Sequence, residues 1–118
     1  MKRYTSHLPY PFSQAVEVHG IIYLSGLVSM DRQGQPVYGD INEQTHQVMK
    51  SIQTTLTNCG SALNKIVKVT VWLSDMRHFA AFNQVYASYF SGGFPARTTV
   101  VSQLAFDLDV EIEVQALA

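Results

Sequence analysis

The hydrophobic period of this chain changes along its length, and that change limits the fold more than any other feature. Between Ile41 and Cys59, residues Ile41, Thr45, Val48, Ile52, Leu56 and Cys59 recur at three- and four-residue spacing. This is one face of an amphipathic helix. From Lys65 to Leu73 the spacing drops to two. Val67, Val69, Val71 and Leu73 share one face, with Ile66, Lys68, Thr70 and Trp72 on the other. The final segment, Val110 to Leu117, alternates in the same way. Val110, Ile112, Val114 and Ala116 oppose Glu111, Glu113 and Gln115. Both stretches read as strands. A chain carrying both periods packs helices on a sheet.

The punctuation agrees. Asp40 stands at the first helix's cap position with Glu43 three residues on, as in a capping box, and Gly60 closes the segment. Asp75 opens a second helix, expected over Met76 to Phe90, whose apolar face draws on Phe79, Phe82, Tyr86 and Tyr89. Ser91-Gly92-Gly93 breaks it. Phe12 to Val18, the His19-Gly20 turn and Ile21 to Leu24 form a hairpin that ends at Ser25-Gly26. Asp31 to Gly39 reads as a loop with a short strand near Val37, and Arg97 to Leu104 as a further strand. The expected order is β-β-α-β-α-β-β, a single α+β domain over residues 1–118 with two helices on one face of the sheet. The other face, carrying Trp72, Thr70 and Ile66, is too apolar for open solvent and is expected to meet other subunits.

Composition narrows the function classes. The 118 residues are 47% apolar and 14% charged, which excludes intrinsic disorder. Eight basic side chains against nine acidic leave no electrostatic footprint for nucleic acid. No apolar run approaches the ~20 residues of a membrane span. Lys2 and Arg3 lead into polar residues and prolines, so no secretory leader is expected. The single cysteine, Cys59, forms no internal disulfide and points to a reducing cytoplasm.

Few residues advertise chemistry. His7, His19, His46 and His78 show no metal-ligand spacing and read as surface or turn residues, and Cys59 as a buried thiol. No metal or cofactor is expected. Arg97 differs, because it is the one charged residue in the stretch from Phe79 to Phe106. It either pairs with Glu111 or Glu113 across neighbouring strands or forks onto a substrate carboxylate. Glu111 and Glu113 lie ~7 Å apart on one face, as an acid–base pair or as a solvated polar face.

Several fragments, in order and spacing, resemble the Rid (reactive intermediate deaminase) family, also called YjgF. They are Pro11-Phe12-Ser13-Gln14-Ala15-Val16, Tyr23-Leu24-Ser25-Gly26, Val67-Lys68-Val69-Thr70-Val71, Asp75-Met76, Phe79-Ala80, Asn83, Val85-Tyr86, Phe94-Pro95-Ala96-Arg97 and Val110-Glu111-Ile112-Glu113. The resemblance spans about Pro11 to Ala118. It implies a chorismate mutase-like homotrimer with its helices outside. It also implies cofactor-free hydrolysis of imines and enamines such as 2-aminoacrylate, in a cleft between subunits. Arg97 would hold the substrate carboxylate and Glu111 would position or activate water, while Phe12, Ser25, Gly26, Asn83 and Thr99 match lining positions. With the family in view, the carboxylate fork is the favoured role for Arg97. A metabolite-binding module without turnover is the alternative, and a ribonuclease the weaker third. The chain departs from the family pattern at Phe12 (commonly Tyr), Thr99 (Cys in archetypal members) and Ala105 (Pro), as a divergent subgroup would.

Overall fold

The computed structural model describes residues 1–118. Seven strands form one mixed sheet: β1 (Lys2–Tyr4), β2 (Ala15–Val18), β3 (Ile21–Leu24), β4 (Leu27–Val28), β5 (Ile66–Leu73), β6 (Ala96–Val101) and β7 (Val110–Leu117). The spatial order is β1-β2-β3-β7-β5-β6, and β4 pairs with β7 beyond the end of β3. Only β5 and β6 run parallel. Two helices, α1 (Ile41–Asn58) and α2 (Phe79–Ala87), pack together over one face.

Helix α1 follows its sequence signals closely. The Asp40 carboxylate accepts the Glu43 N–H at 2.8 Å, supplying one of the unpaired donors at the helix start. Val48, Ile52 and Leu56 are fully buried against the sheet, each stabilising by about 1.5–3 kcal/mol relative to exposure. The β2–β3 hairpin turns on His19 (φ 51°) and Gly20 (φ 79°), the positive-φ pair that a two-residue hairpin loop requires. Strand β7 sits at the centre of the sheet. Val110, Ile112, Val114 and Ala116 enter the core, while Glu111, Glu113 and Gln115 look away from the helices.

Several expectations need correction, beginning with the element order, which β1 and β4 extend to β-β-β-β-α-β-α-β-β. The second helix is shorter: Met76–His78 is a 3₁₀ turn capped by Asp75, and the α-helix stops at Ala87. Its buried face is Phe82, Val85 and Tyr86, and Phe79 stays 38% exposed. Strand β6 ends at Val101 rather than Leu104, and Phe12 precedes its strand in a loop. A bulge between Ile66 and Lys68 turns Ile66 into the core and leaves Val67 outside, reversing their assigned faces. Beyond the bulge the alternation holds, so Thr70 and Trp72 lie away from the helices, opposite Glu113 and Glu111 of β7. That outer face also carries Val100 and Tyr23, 40% and 42% exposed.

Candidate active site

The two residues singled out for chemistry lie on opposite faces of the sheet. Strand β5 runs between β6 and β7. Arg97 is in register with Val69 and Thr99 with Val71, both core residues, so Arg97 and Thr99 face the helices. Glu111 is in register with Trp72 and faces the other way. The ion pair considered between Arg97 and Glu111 or Glu113 therefore does not form. The ion pair present is Arg77–Asp75, and His78 Nε2 lies 3.7 Å from Asp109 Oδ1.

Arg97 is held in an aromatic box at the free edge of the sheet. One turn of α2 separates Phe82 from Tyr86, and Asn83 lies between them. The guanidinium carbon lies 5.0 Å from the Tyr86 ring centroid, 5.5 Å from Phe82 and 5.7 Å from Phe79. Attraction to the ring faces holds the cation there. Arg97 Nη2 donates to Asn83 Oδ1 at 2.7 Å, which fixes the plane of the fork. No carboxylate neutralises it. Asn83, Tyr86, Phe94, Pro95 and Arg97 line a small pocket of about 310 Å³. Tyr86 Oη is buried without a hydrogen-bond partner. Burial pushes the phenol up to about 12, against the lowering effect of Arg97. A cation with donors unused, in an apolar box, can take up an anionic group.

Glu111 occupies a different setting. It borders a groove of about 930 Å³ whose lining includes Phe12, Ser25, Gly26, Phe106 and Glu113. Burial first, and the neighbouring Glu113 second, raise its pKa above the usual carboxylate value. Gly26 lies against it: a β-carbon at this position would meet the Glu111 carboxylate and push that side chain aside, so glycine lets the carboxylate rest where it does. Ser25 Oγ donates to Ser13 O at 2.6 Å, tying the β3–β4 link to the loop that carries Phe12.

The structure thus gathers Phe12, Ser25, Gly26 and Glu111 into one groove and Arg97 and Asn83 into another pocket, while Thr99 lines neither. No group of three or more His, Cys, Asp or Glu side chains comes together as a metal site. The four histidines lie apart. Nδ1 of His46, for example, meets Tyr89 Oη at 2.6 Å.

One positioning cluster escaped the sequence reading. Gln44 is buried on α1, and its Nε2 donates to Gly39 O and Asp109 Oδ2, both at 3.0 Å. Its Oε1 accepts the Asp109 N–H at 2.8 Å. Ser74 Oγ donates to the other Asp109 oxygen at 2.6 Å. These bonds pin the start of β7 two residues before Glu111. The available signal was Gln44 itself, one turn from Ile41 on the helix's apolar side.

Sequence and structure comparisons agree on the class. A family model described as Endoribonuclease L-PSP matches residues 5–118, and the chain belongs to this Rid (YjgF/RutC) family. It is 41% identical over 109 residues to the mouse 2-iminobutanoate/2-iminopropanoate deaminase, covering 91% of this chain and 81% of that protein. It is 40% identical over 107 residues to the mitochondrial protein MMF1 of Saccharomyces cerevisiae, covering 90% of this chain and 74% of the relative. Among solved structures, the Rid-family protein YyfA of Yersinia pestis, itself described as of unknown function, aligns with a TM-score of 0.90. The identity is 39%, with 100% of this chain and 95% of that one covered. The α+β fold is that of the family, and family membership supports imine deaminase chemistry at this coarse level. No helix is long and apolar enough to cross a membrane.

Proposed function

We propose that this protein hydrolyses small 2-imino acids, and enamines tautomeric with them such as 2-aminoacrylate, to 2-oxo acids and ammonia. The working cleft forms where the Arg97 pocket of one subunit meets the Glu111 groove of its neighbour in a homotrimer. The carrying observation is the opposed placement of an unneutralised cation and a half-buried carboxylate on the two faces of one sheet. Two different patches meet only head to tail, and a head-to-tail contact that closes makes a ring. The apolar outer face with Trp72, Val100 and Tyr23 supports such an association.

The chemistry follows from these groups. The Arg97 fork binds the substrate carboxylate in two charge-assisted hydrogen bonds, each contributing about 1.5–3 kcal/mol. Phe12 and Phe94 wall the cleft, and Asn83 holds the fork's orientation. Water held by Glu111 attacks C2 of the iminium and gives its proton to the carboxylate, while the C=N π pair moves onto nitrogen. Glu111 returns that proton to nitrogen and then takes the hydroxyl proton as the C–N bond breaks, so that ammonia leaves with the bond pair and the carbonyl forms. The imine carbon is already electrophilic, so orientation and a proton acceptor suffice. Thr99 has no assigned contact in this scheme. A cytoplasmic site of action accords with the lone buried cysteine, although the yeast relative is named as mitochondrial. A nucleic-acid substrate draws no support from a chain with eight basic and nine acidic residues.

The test is the decay of 2-aminoacrylate generated in situ by a dehydratase. Addition of the protein is expected to speed release of ammonia and pyruvate, and Arg97→Ala to abolish the effect with the fold intact. Unaltered decay, or full activity in Arg97→Ala, would defeat the reading. Thermal stabilisation by 2-oxo acids without turnover would instead support a binding module in the same cleft.

A further inference from the structure

As one chain presents it, before a neighbour covers it, the Glu111 groove is larger than a three-carbon imine requires, and one of its walls is held in an unusual backbone conformation. Clefts of roughly 300–1,000 Å³ accommodate drug-sized ligands. At about 930 Å³ this groove stands near the upper end. Three aromatic rings border it and remain open to solvent: Tyr10 (41% exposed), Phe12 (49%) and Phe106 (45%). Tyr10 and Phe12 stack nearly parallel, 10° apart in plane with centroids separated by 5.8 Å.

Phe106 faces the groove from a turn that does not suit it. It has φ 60° and ψ 20°, and Asp107 after it has φ 55°. Aspartate tolerates this left-handed region, but at Phe106 the turn alone would favour glycine, asparagine or aspartate. The turn is braced from outside, because Tyr38 Oη donates to Phe106 O at 3.0 Å. The conformation carries an aromatic ring to the mouth of the groove, and the ring accounts for the residue where the turn does not.

We propose that Phe106, with Tyr10 and Phe12, forms a subsite for a bulky apolar or aryl side chain of the imino acid, and that Phe106 is a specificity-determining residue. The proposal rests on the deaminase reading. With the carboxylate on Arg97 of the partner subunit and C2 at Glu111, the partner covers part of the groove, and the substituent on C2 extends along the wall of Tyr10, Phe12 and Phe106 that this chain supplies. Aromatic rings pack against one another and against aliphatic chains beyond simple burial. An acidic side chain fits less well. Asp31, Glu111 and Glu113 border the groove against Arg32 and Lys50, so its charge does not favour a second carboxylate.

The experiment compares kcat/KM for imines that amino-acid oxidases generate from alanine, phenylalanine and glutamate. The variants are Phe106→Asn, which tolerates the left-handed turn, and Phe106→Tyr, which keeps the ring. The wild-type protein is expected to prefer the phenylalanine-derived imine. Phe106→Asn should lower the phenylalanine-to-alanine ratio about tenfold, mainly through KM, and Phe106→Tyr should retain it. An unmoved ratio, a preference for the glutamate-derived imine, or loss of oligomer mass in Phe106→Asn would overturn the proposal. If no imine is hydrolysed, the deaminase reading fails by itself, and calorimetry with phenylpyruvate and pyruvate decides the subsite. Tighter binding of phenylpyruvate that weakens in Phe106→Asn upholds it, and equal binding overturns it.

Discussion

The Arg97 pocket and the Glu111 groove are built on opposite principles. The first is small and tight. Its cation is fixed by three rings and one amide, and its neighbours Phe82 and Tyr86 are core residues. The second is wide, and its carboxylate enters no ion pair. A carboxylate clamp needs a rigid fork, whereas a site that admits water and a variable substituent needs room. Under the proposed function each is half of one site, and neither half is complete alone. Within one chain a sheet separates them, so an account of the site is also an account of how two copies meet.

The largest effect should come from removing the fork, since Arg97→Ala is expected to abolish hydrolysis. Arg97→Lys keeps the charge and removes the paired geometry, and kcat/KM is expected to fall about 10- to 100-fold. A smaller fall would mean that charge alone binds the carboxylate, making the two halves less different than they look.

Glu111→Gln should separate function from stability. Turnover is expected to fall about 10²- to 10⁴-fold with loss of the proton acceptor. Because burial and Glu113 raise the Glu111 pKa, the folded protein binds more protons than the unfolded chain between the unfolded and folded values. This group's contribution to stability is therefore fully present below the unfolded pKa and is lost as pH rises through the raised one. Glu111→Gln should melt higher than wild type at neutral pH, with the difference shrinking in acid. For the wild type, kcat/KM should decline on acidification with an apparent pKa above the usual carboxylate value. A Glu111→Gln protein that melts lower at neutral pH would show that the carboxylate stabilises the groove.

The smallest effect sharpens the other side. Tyr86 Oη is buried without a partner, so Tyr86→Phe should stabilise the empty protein by about 1 kcal/mol, read as a higher Tm. Destabilisation would mean that the hydroxyl is satisfied in solution and the pocket wetter than it looks.

Much of this was legible in the sequence, for definite reasons. Strand β7 is buried on one face and polar on the other, so its alternation was unambiguous, and α1 announced itself by Asp40 and a regular stripe. β1 and β4, with three and two residues, are too short for any period to register. The bulge at Ile66–Lys68 broke an alternation that otherwise read cleanly. The resemblance supplied the candidate site residues, and local pattern could not say which of them share a face. That depends on β5 lying between β6 and β7, a long-range pairing. The Gln44–Asp109 bonds join residues 65 positions apart and left no local trace beyond one polar side chain on an apolar face.

Subunit complementation tests the central claim most directly. Arg97→Ala and Glu111→Gln chains, each inactive alone, are unfolded together, refolded as a mixture and assayed for imine hydrolysis. If each site takes Arg97 from one subunit and Glu111 from its neighbour, random assembly of equal amounts should restore about a quarter of wild-type activity. If the mixture stays as inactive as its parts while forming mixed oligomers, the two residues do not serve one site across the interface, and the account fails.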